Sequence, residues 1–189
     1  MDFTTKLISI FQIVNEWLKF AETKNAVLLA FSGAGVTAII TYLSTAVNLL
    51  NSFRIGLIIS IVLLCASSLI CSLSFLPKTD INYFVWLRTK PSRKFKLLPK
   101  DSDNFYFFND LKKYQPIDLL DSINRLYFQN QIHTPYGKED LDIAHQITIN
   151  SEITSRKFSF FRFALWLLIF SILAIPISLL VSLLLYQQF

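Results

Sequence analysis

Between Lys24 and Arg54, between Arg54 and Lys78, and from Arg162 to the C-terminal Phe189, the chain has no Asp, Glu, Lys, Arg or His. These stretches, residues 25–53, 55–77 and 163–189, each exceed the ~20 residues that a helix needs to cross a ~30 Å hydrocarbon core. They predict three transmembrane helices, near 26–48, 55–76 and 162–185. As buried helices of a soluble protein they would need covering layers on all sides, and the roughly 80–110 remaining residues cannot supply them. A composition of 53% apolar and 15% aromatic residues with 4 Gly agrees.

The fold class expected is therefore a mainly α membrane protein. Its three transmembrane helices carry a small, mostly helical cytoplasmic domain inserted between the second and third. The parts are an N-terminal segment (1–24), a transmembrane hairpin (25–77), a cytoplasmic domain (78–160), and a third transmembrane helix with a short external tail (161–189). Asp2, Glu16, Glu22 and three lysines precede the first apolar block. This is unlike a cleaved signal peptide, so the first helix is expected in the mature protein.

Lys and Arg set the orientation, because cytoplasmic flanks are enriched in them. Residues 1–24 hold Lys6, Lys19 and Lys24 and residues 78–162 hold fourteen more, whereas the loop between the first two helices holds Arg54 alone. The N-terminus and middle segment are expected in the cytoplasm and the C-terminus outside. The net charge of +5 then reflects topology and anionic lipid more than nucleic acid. Cys65 and Cys71 fall on different faces of the second helix, which argues against a disulfide or a metal site.

Phe3, Leu7, Ile10, Phe11, Val14, Trp17 and Leu18 recur at helical spacing with Lys6, Asn15, Glu16 and Lys19 between them. This amphipathic helix has two places to go: the inner membrane face, with Trp17 at the headgroups, or the cytoplasmic domain. In the first membrane helix Ala30, Gly33, Thr37, Thr41, Ser44 and Asn48 form a stripe of small or hydroxylated residues. Ala26, Ala30, Ala34 and Ala38 form an overlapping ribbon. Ser60, Ser67, Cys71 and Ser74 repeat the theme in the second helix, and Ser171, Ala174, Ser178 and Ser182 in the third. Small residues let membrane helices approach closely; the stripes serve packing within one protomer, or one of them faces other protomers or a polar lumen. With no charged residue at membrane depth, a pump or ion-coupled transporter is disfavoured. Pro176 is expected to bend the third helix or mark a weak point.

In the middle segment, Ile81 to Phe95 is rich enough in β-branched and aromatic residues for one or two short strands. DSDNFYFFNDLKKY follows, with Phe105, Tyr106, Phe107 and Phe108 in one run and Asp101 or Asp103 placed to cap a helix. Ile117, Leu120, Ile123 or Asn124, and Tyr127 continue at helical spacing, and HTPYG makes a turn. From Lys138 a helical pattern (Leu141, Ala144 or His145, Ile147, Ile153) runs without a breaker into the third span, predicting one long helix.

No phosphate loop, nucleophile elbow or zinc-spaced cluster is present, no cofactor is implied, and the chain reads as non-enzymatic. His133 and His145 read as solvated. The basic cluster Arg88, Lys90, Arg93, Lys94, Lys96 and Lys100 reads as a positive flank touching lipid headgroups, or as a phosphate-binding surface with Phe105 or Tyr106 stacking a base.

AETKNAVLLAFSGAG opening the first span, SLSFLP closing the second, DNFYFFNDL, and ITINSEITSRKFSFFRFALWLL leading into the third together resemble the Pycsar effector transmembrane family, small bacterial membrane proteins of antiphage defence. Glu22 and Lys24, Asn104 with Phe105 to Phe108 and Asp110, and Ser155, Arg156 and Lys157 match in order and spacing; Asn109 stands where the family has glycine. The resemblance covers residues 16–185. It implies a cytoplasmic sensor (78–160) for a cyclic nucleotide made by a functionally linked nucleotide cyclase or polymerase, coupled to helices that disrupt the bilayer of the inner membrane in abortive infection.

On that reading Arg88, Arg93, Lys94 and Arg156 are charge candidates for the nucleotide, and Asn104 and Tyr106 candidates for edge recognition and stacking. Ala30, Gly33, Ala34, Thr37, Thr41, Ser44 and Asn48 pack membrane helices in a homo-oligomer. The competing reading is a non-enzymatic membrane scaffold or regulatory subunit that binds a protein partner.

Overall fold

The computed structural model describes residues 2–47, 49–76 and 99–186. They form five helices: α1 (Phe3–Thr45), α2 (Asn51–Leu73), α3 (Phe108–Leu111), α4 (Pro116–Phe128) and α5 (Lys138–Tyr186), with no strand among the described residues. The strands expected within 81–95 lie outside those residues. Two compact units emerge, Met1–Ala21 with Pro77–Phe158 and Glu22–Leu76 with Ser159–Phe189. α1 and α5 each contribute to both, so the N-terminal amphipathic segment and the first apolar stretch form one helix. The long helix expected from Lys138 is present and continues past Pro176.

The first unit hides its apolar side chains. On α1, Phe3, Leu7, Ile10 and Val14 recur every three or four residues and so share one face. They are buried in a cluster with Leu119, Leu120 and Ile123 of α4 and Ala144 and Ile147 of α5. Of the two places open to the amphipathic segment, it takes the folded unit: Trp17 donates to the Tyr106 carbonyl at 3.2 Å. α4 starts at Pro116, whose fixed φ suits the first helical position, and has Asp118 in its first turn and Arg125 in its last. It ends at Gln129 and Asn130, both left-handed (φ 53° and 60°). The Gln129 amide and, at 3.2 Å, the Asn130 amide both bond back to the Asn124 carbonyl, so the left-handed pair closes the helix without the usual glycine.

The face that α4 buries is Leu119, Leu120, Ile123 and Asn124. Ile117 and Tyr127, expected on that face, are 59% and 47% exposed. The buried face is centred nearer Leu119 than the expected stripe because Asn124 points inward, donating to the Ile132 carbonyl at 3.0 Å and accepting from the Ile132 amide at 3.3 Å. An amide side chain can satisfy both groups of a turn, which is why this polar residue is tolerated inside.

The second unit keeps a buried apolar cluster of Leu28, Leu64, Cys71, Ala164 and Leu168 but adds buried hydroxyls to it and leaves many large aliphatic side chains outside. Ser60, Ser67 and Ser171 are buried; the Ser60 hydroxyl donates to the Ser171 carbonyl at 2.9 Å, the Ser171 hydroxyl to the Ser60 carbonyl at 3.1 Å, and the Ser67 hydroxyl to the Ala164 carbonyl at 2.9 Å. A Cβ added to Gly56 would meet the Ser178 hydroxyl at 2.0 Å, so the glycine is what lets α2 and α5 approach there. Ile55, Ile58, Ile59, Val62, Leu69 and Phe163 are turned outward, between 48% and 66% exposed. Cys71 is buried and Cys65 exposed, on different faces. α1, α2 and α5 are all long and apolar enough to cross a membrane.

Candidate functional site

The aromatic run lies in the first unit and is built by its own polar neighbours. Asn104 Oδ1 accepts from the Tyr106 amide at 2.9 Å, and the Phe107 amide closes a turn on the Asn104 carbonyl at 3.0 Å. This Asx turn presents successive rings in different directions. Phe105 goes into the core beside Tyr114 and Tyr127, with ring centroids 5.5 and 5.9 Å away. Phe108 stacks on Phe158 at 5.1 Å, and Trp17 sits against Phe107 and Phe108 at 6.1 and 5.6 Å. Such pairs contribute about 0.5–1.5 kcal/mol each beyond area burial.

Neither Asp101 nor Asp103 caps a helix. α3 begins at Phe108 with Phe107 as its cap residue, too far along the chain for those carboxylates to reach its first amides. Asp103 instead accepts from the Lys100 amide at 2.9 Å, from Lys113 Nζ at 2.7 Å and from the Tyr114 hydroxyl at 3.2 Å. Lys113 also reaches Asp110 at 2.7 Å, and Asp110 accepts from the Asn104 amide at 3.2 Å. Asp101 pairs with Arg125 through two bonds of 2.6 and 3.1 Å.

Burial works against the charge of Asp103, but the Lys113 ammonium, the Lys100 amide and Tyr114 together hold its carboxyl below the usual range. For Lys113, burial is likewise outweighed by bonds to Asp103 and Asp110, so its pKa is raised. Tyr114 is pushed up to about 12, by burial first and then by the charge of Asp103. The loop is thus braced from inside.

Tyr106 faces another way. Its hydroxyl accepts from Lys6 Nζ, and the same ammonium lies 4.8 Å from the Tyr106 ring centroid and 4.1 Å from that of Tyr127. A cation between two tyrosine faces, one of them 47% exposed, can offer charge and a stacking surface to a planar anion. Sequence reading missed Lys6 and Tyr127 as members of this surface, because Lys6 and Tyr106 are 100 residues apart and meet only once α1 docks. The one available signal was a lysine next to the buried Leu7 on an amphipathic helix.

Among the residues expected to bind ligand, Asn104 and Tyr106 are brought together by the Asx turn. Arg156 is about half exposed on α5 and pairs with Glu152 one turn earlier. Its neighbour Ser155 accepts from Lys112 Nζ at 2.9 Å, which ties the α5 segment to the end of the aromatic loop. Arg88, Arg93 and Lys94 lie outside the described residues, as does Asn48. No cluster of metal-ligating side chains occurs among the described residues.

The small-residue stripes separate into two kinds. Those of α2 and α5 pack within the second unit, through Ser60, Ser67 and Ser171. That of α1 does not: Ala30, Gly33, Ala34, Thr37, Thr41 and Ser44 are all exposed, and a Cβ added to Gly33 would meet nothing within 4 Å. Thr37 and Thr41 bond back to the carbonyls one turn earlier at 3.1 and 2.9 Å, and Ser44 to the Thr41 carbonyl at 2.8 Å. The exposed stripe is therefore shallow and internally satisfied.

A helical chain with three membrane-length apolar helices, whose second unit buries serines and exposes many large aliphatic side chains, is a membrane protein. Its first unit is packed as in a water-soluble domain and bears an aromatic and cationic surface. The chain belongs to the Pycsar effector family: residues 6–185 match the Pycsar effector protein domain. No curated protein and no solved structure matches it.

Proposed function

We propose that this is a non-enzymatic effector of antiphage defence in the inner membrane, whose first unit lies in the cytoplasm and senses a cyclic nucleotide and whose apolar helices then disrupt the bilayer. The observation that carries the reading is the family match over residues 6–185 on a chain in which α1 and α5 both pass unbroken from the first unit into the second. The positive-inside distribution supports the orientation. The messenger would come from a functionally linked nucleotide cyclase or polymerase.

For the messenger site, the surface around Asn104, Tyr106, Lys6 and Tyr127 supplies edge recognition, an ammonium and ring faces, with Arg156, Arg88, Arg93 and Lys94 as further cations. A nearly complete two-state flip needs ~5.5 kcal/mol of differential affinity, which a site shared between copies in a homo-oligomer would help supply. The α1 stripe suits such assembly, because its shallow surface admits close helix approach.

The test is membrane potential and dye uptake in bacteria expressing the protein, with and without each of a panel of cyclic nucleotides. The expected result is a potential that changes with one nucleotide, the sign of the response being read directly. An unchanged potential in every condition would overturn the reading in favour of a scaffold that binds a protein partner.

A further inference from the structure

Within the second unit the three long helices meet at one level. The Ser32 hydroxyl of α1 donates to the Ser67 hydroxyl of α2 at 3.2 Å, and Ser67 donates in turn to the Ala164 carbonyl of α5 at 2.9 Å. All three residues are fully buried. Further along, α2 and α5 stay joined by the reciprocal bonds of Ser60 and Ser171 and by the close approach at Gly56. α1 is held differently. Among the described residues, the bond from Ser32 is the one hydrogen bond that joins residues 27–45 to another helix, and none of residues 33–45 is buried. Val36 and Ile39 pack against the apolar cluster only in part, and Thr37, Thr41 and Ser44 direct their hydroxyls to carbonyls of α1 itself.

The residue after Ser32 is Gly33. A side chain there would meet nothing within 4 Å, so no neighbour in the protomer requires a glycine, and an alanine would keep the α1 stripe as shallow as Ala30 and Ala34 do. What glycine supplies instead is a helix that bends more easily, and a Ser and Gly pair is a recurrent place for a helix to kink. When Ser32 leaves Ser67, its hydroxyl can turn to the Leu28 carbonyl one turn earlier, the kind of bond that Thr37 and Thr41 already make. Ser67 keeps its bond to Ala164. No polar group is then stranded in lipid, where a stranded one is expensive.

We propose that Ser32 is a latch and that Ser32 with Gly33 is a hinge: α2 and α5 form a fixed pair, and residues 34–45 of α1 swing away from it when the latch opens. The inference needs neither a nucleotide nor a contact between copies.

The experiment is double electron–electron resonance on the full chain in nanodiscs, with Cys65→Ser and Cys71→Ala as background and labelled protein diluted in excess unlabelled chain. One label pair joins α1 to α5 (Ile40→Cys with Ile177→Cys) and a reference pair joins α2 to α5 (Val62→Cys with Ile177→Cys); all three positions are exposed. The reference pair is expected to give one narrow distance, and the α1 pair a second, longer component. Ser32→Ala should enlarge that component roughly threefold, the factor for one hydrogen bond between membrane helices. Gly33→Ala should shrink it by up to roughly fivefold, the advantage of Ala over Gly in a helix. An α1 distribution as narrow as the reference and unchanged by Ser32→Ala overturns the proposal, as does a longer component that grows with the labelled fraction and so reports contacts between copies. A longer component that Gly33→Ala leaves intact overturns the hinge. If Ser32→Ala does not fold, Gly33→Ala, which adds a methyl group in open space, decides.

Discussion

The two units solve the same packing problem with different balances of apolar and hydroxyl side chains inside. In the first, Leu7, Ile10, Leu119 and Leu120 are inside and fully buried; in the second, Ser60, Ser67 and Ser171 are inside while Ile58, Val62 and Leu69 face out. A hydrophobic interior lowers free energy only where the surroundings are water. Where they are lipid, the inward leucines Leu28, Leu64 and Leu168 gain packing but little hydrophobic free energy, and close approach with hydroxyl-to-carbonyl bonds is added to the interior. α1 and α5 serve both units along their own lengths: α1 buries Phe3, Leu7, Ile10 and Val14 in the first and Leu28 and Ser32 in the second, and α5 buries Ala144 and Ile147 in the first and Ala164, Leu168 and Ser171 in the second.

The contrast is broken most severely at glycine. Gly56→Leu drives a side chain into Ser178, and overpacking of this kind costs about 1–3 kcal/mol or more; loss of folded protein from the membrane fraction, or a much lower melting temperature in detergent, is expected. Gly33→Leu places its side chain in open space on the α1 stripe and should leave the protomer's melting temperature unchanged while lowering toxicity if the stripe mediates assembly. Full toxicity with an intact oligomer would count against that role.

In the first unit the vulnerable element is charge. Lys113→Met leaves Asp103 and Asp110 without their shared ammonium, and losing hydrogen bonds to charged groups costs about 1.5–3 kcal/mol each, measurable as a shift in the denaturation midpoint. The pH dependence follows from the direction of each shift. The Asp103 carboxyl is lowered in the folded state, so its contribution is present above the unfolded value of about 4 and lost as pH falls through the lower folded value. Tyr114 is raised to about 12 and Lys113 is raised as well. Their contributions hold below about pH 10 and are lost as pH rises further. Asp103→Asn should flatten the acid limb of stability against pH; an acid limb identical to wild type would place the sensitivity elsewhere.

Smaller effects sharpen the comparison. Gln129→Gly should stabilise the first unit by up to roughly 1–2 kcal/mol, because a non-glycine residue is strained in the left-handed region, and a melting curve would show it. Ser60→Ala and Ser171→Ala should each cost only about 0.6 kcal/mol, the usual size of a hydrogen bond between membrane helices, read as small shifts in detergent melting.

How much of this was legible in the sequence varies with the physics that places each residue. The spans follow from stretches without charge, and the α5 helix from an unbroken period beginning at Lys138; both are local patterns with one interpretation. The two homes of the amphipathic segment looked alike because Leu7, Ile10 and Val14 suit a membrane surface and a protein core equally. The role of Asp103 was misread as a cap because capping is a local rule, whereas Lys113 and Tyr114 reach it from beyond a short helix whose start could not be located. Ser67 and Thr41 likewise look equivalent as small polar residues in apolar helices. Which of them turns inward depends on the faces that α1, α2 and α5 choose, and that is not encoded in any one helix.

The central claim, that a messenger recognised by the first unit changes what the second does to a bilayer, is tested most directly with purified full-length protein in vesicles loaded with a self-quenched dye. Each cyclic nucleotide of the panel is added in turn. The account predicts a leakage rate that changes with one nucleotide and loses that response in Tyr106→Ala. Leakage that is absent, or the same with and without every nucleotide, would contradict it.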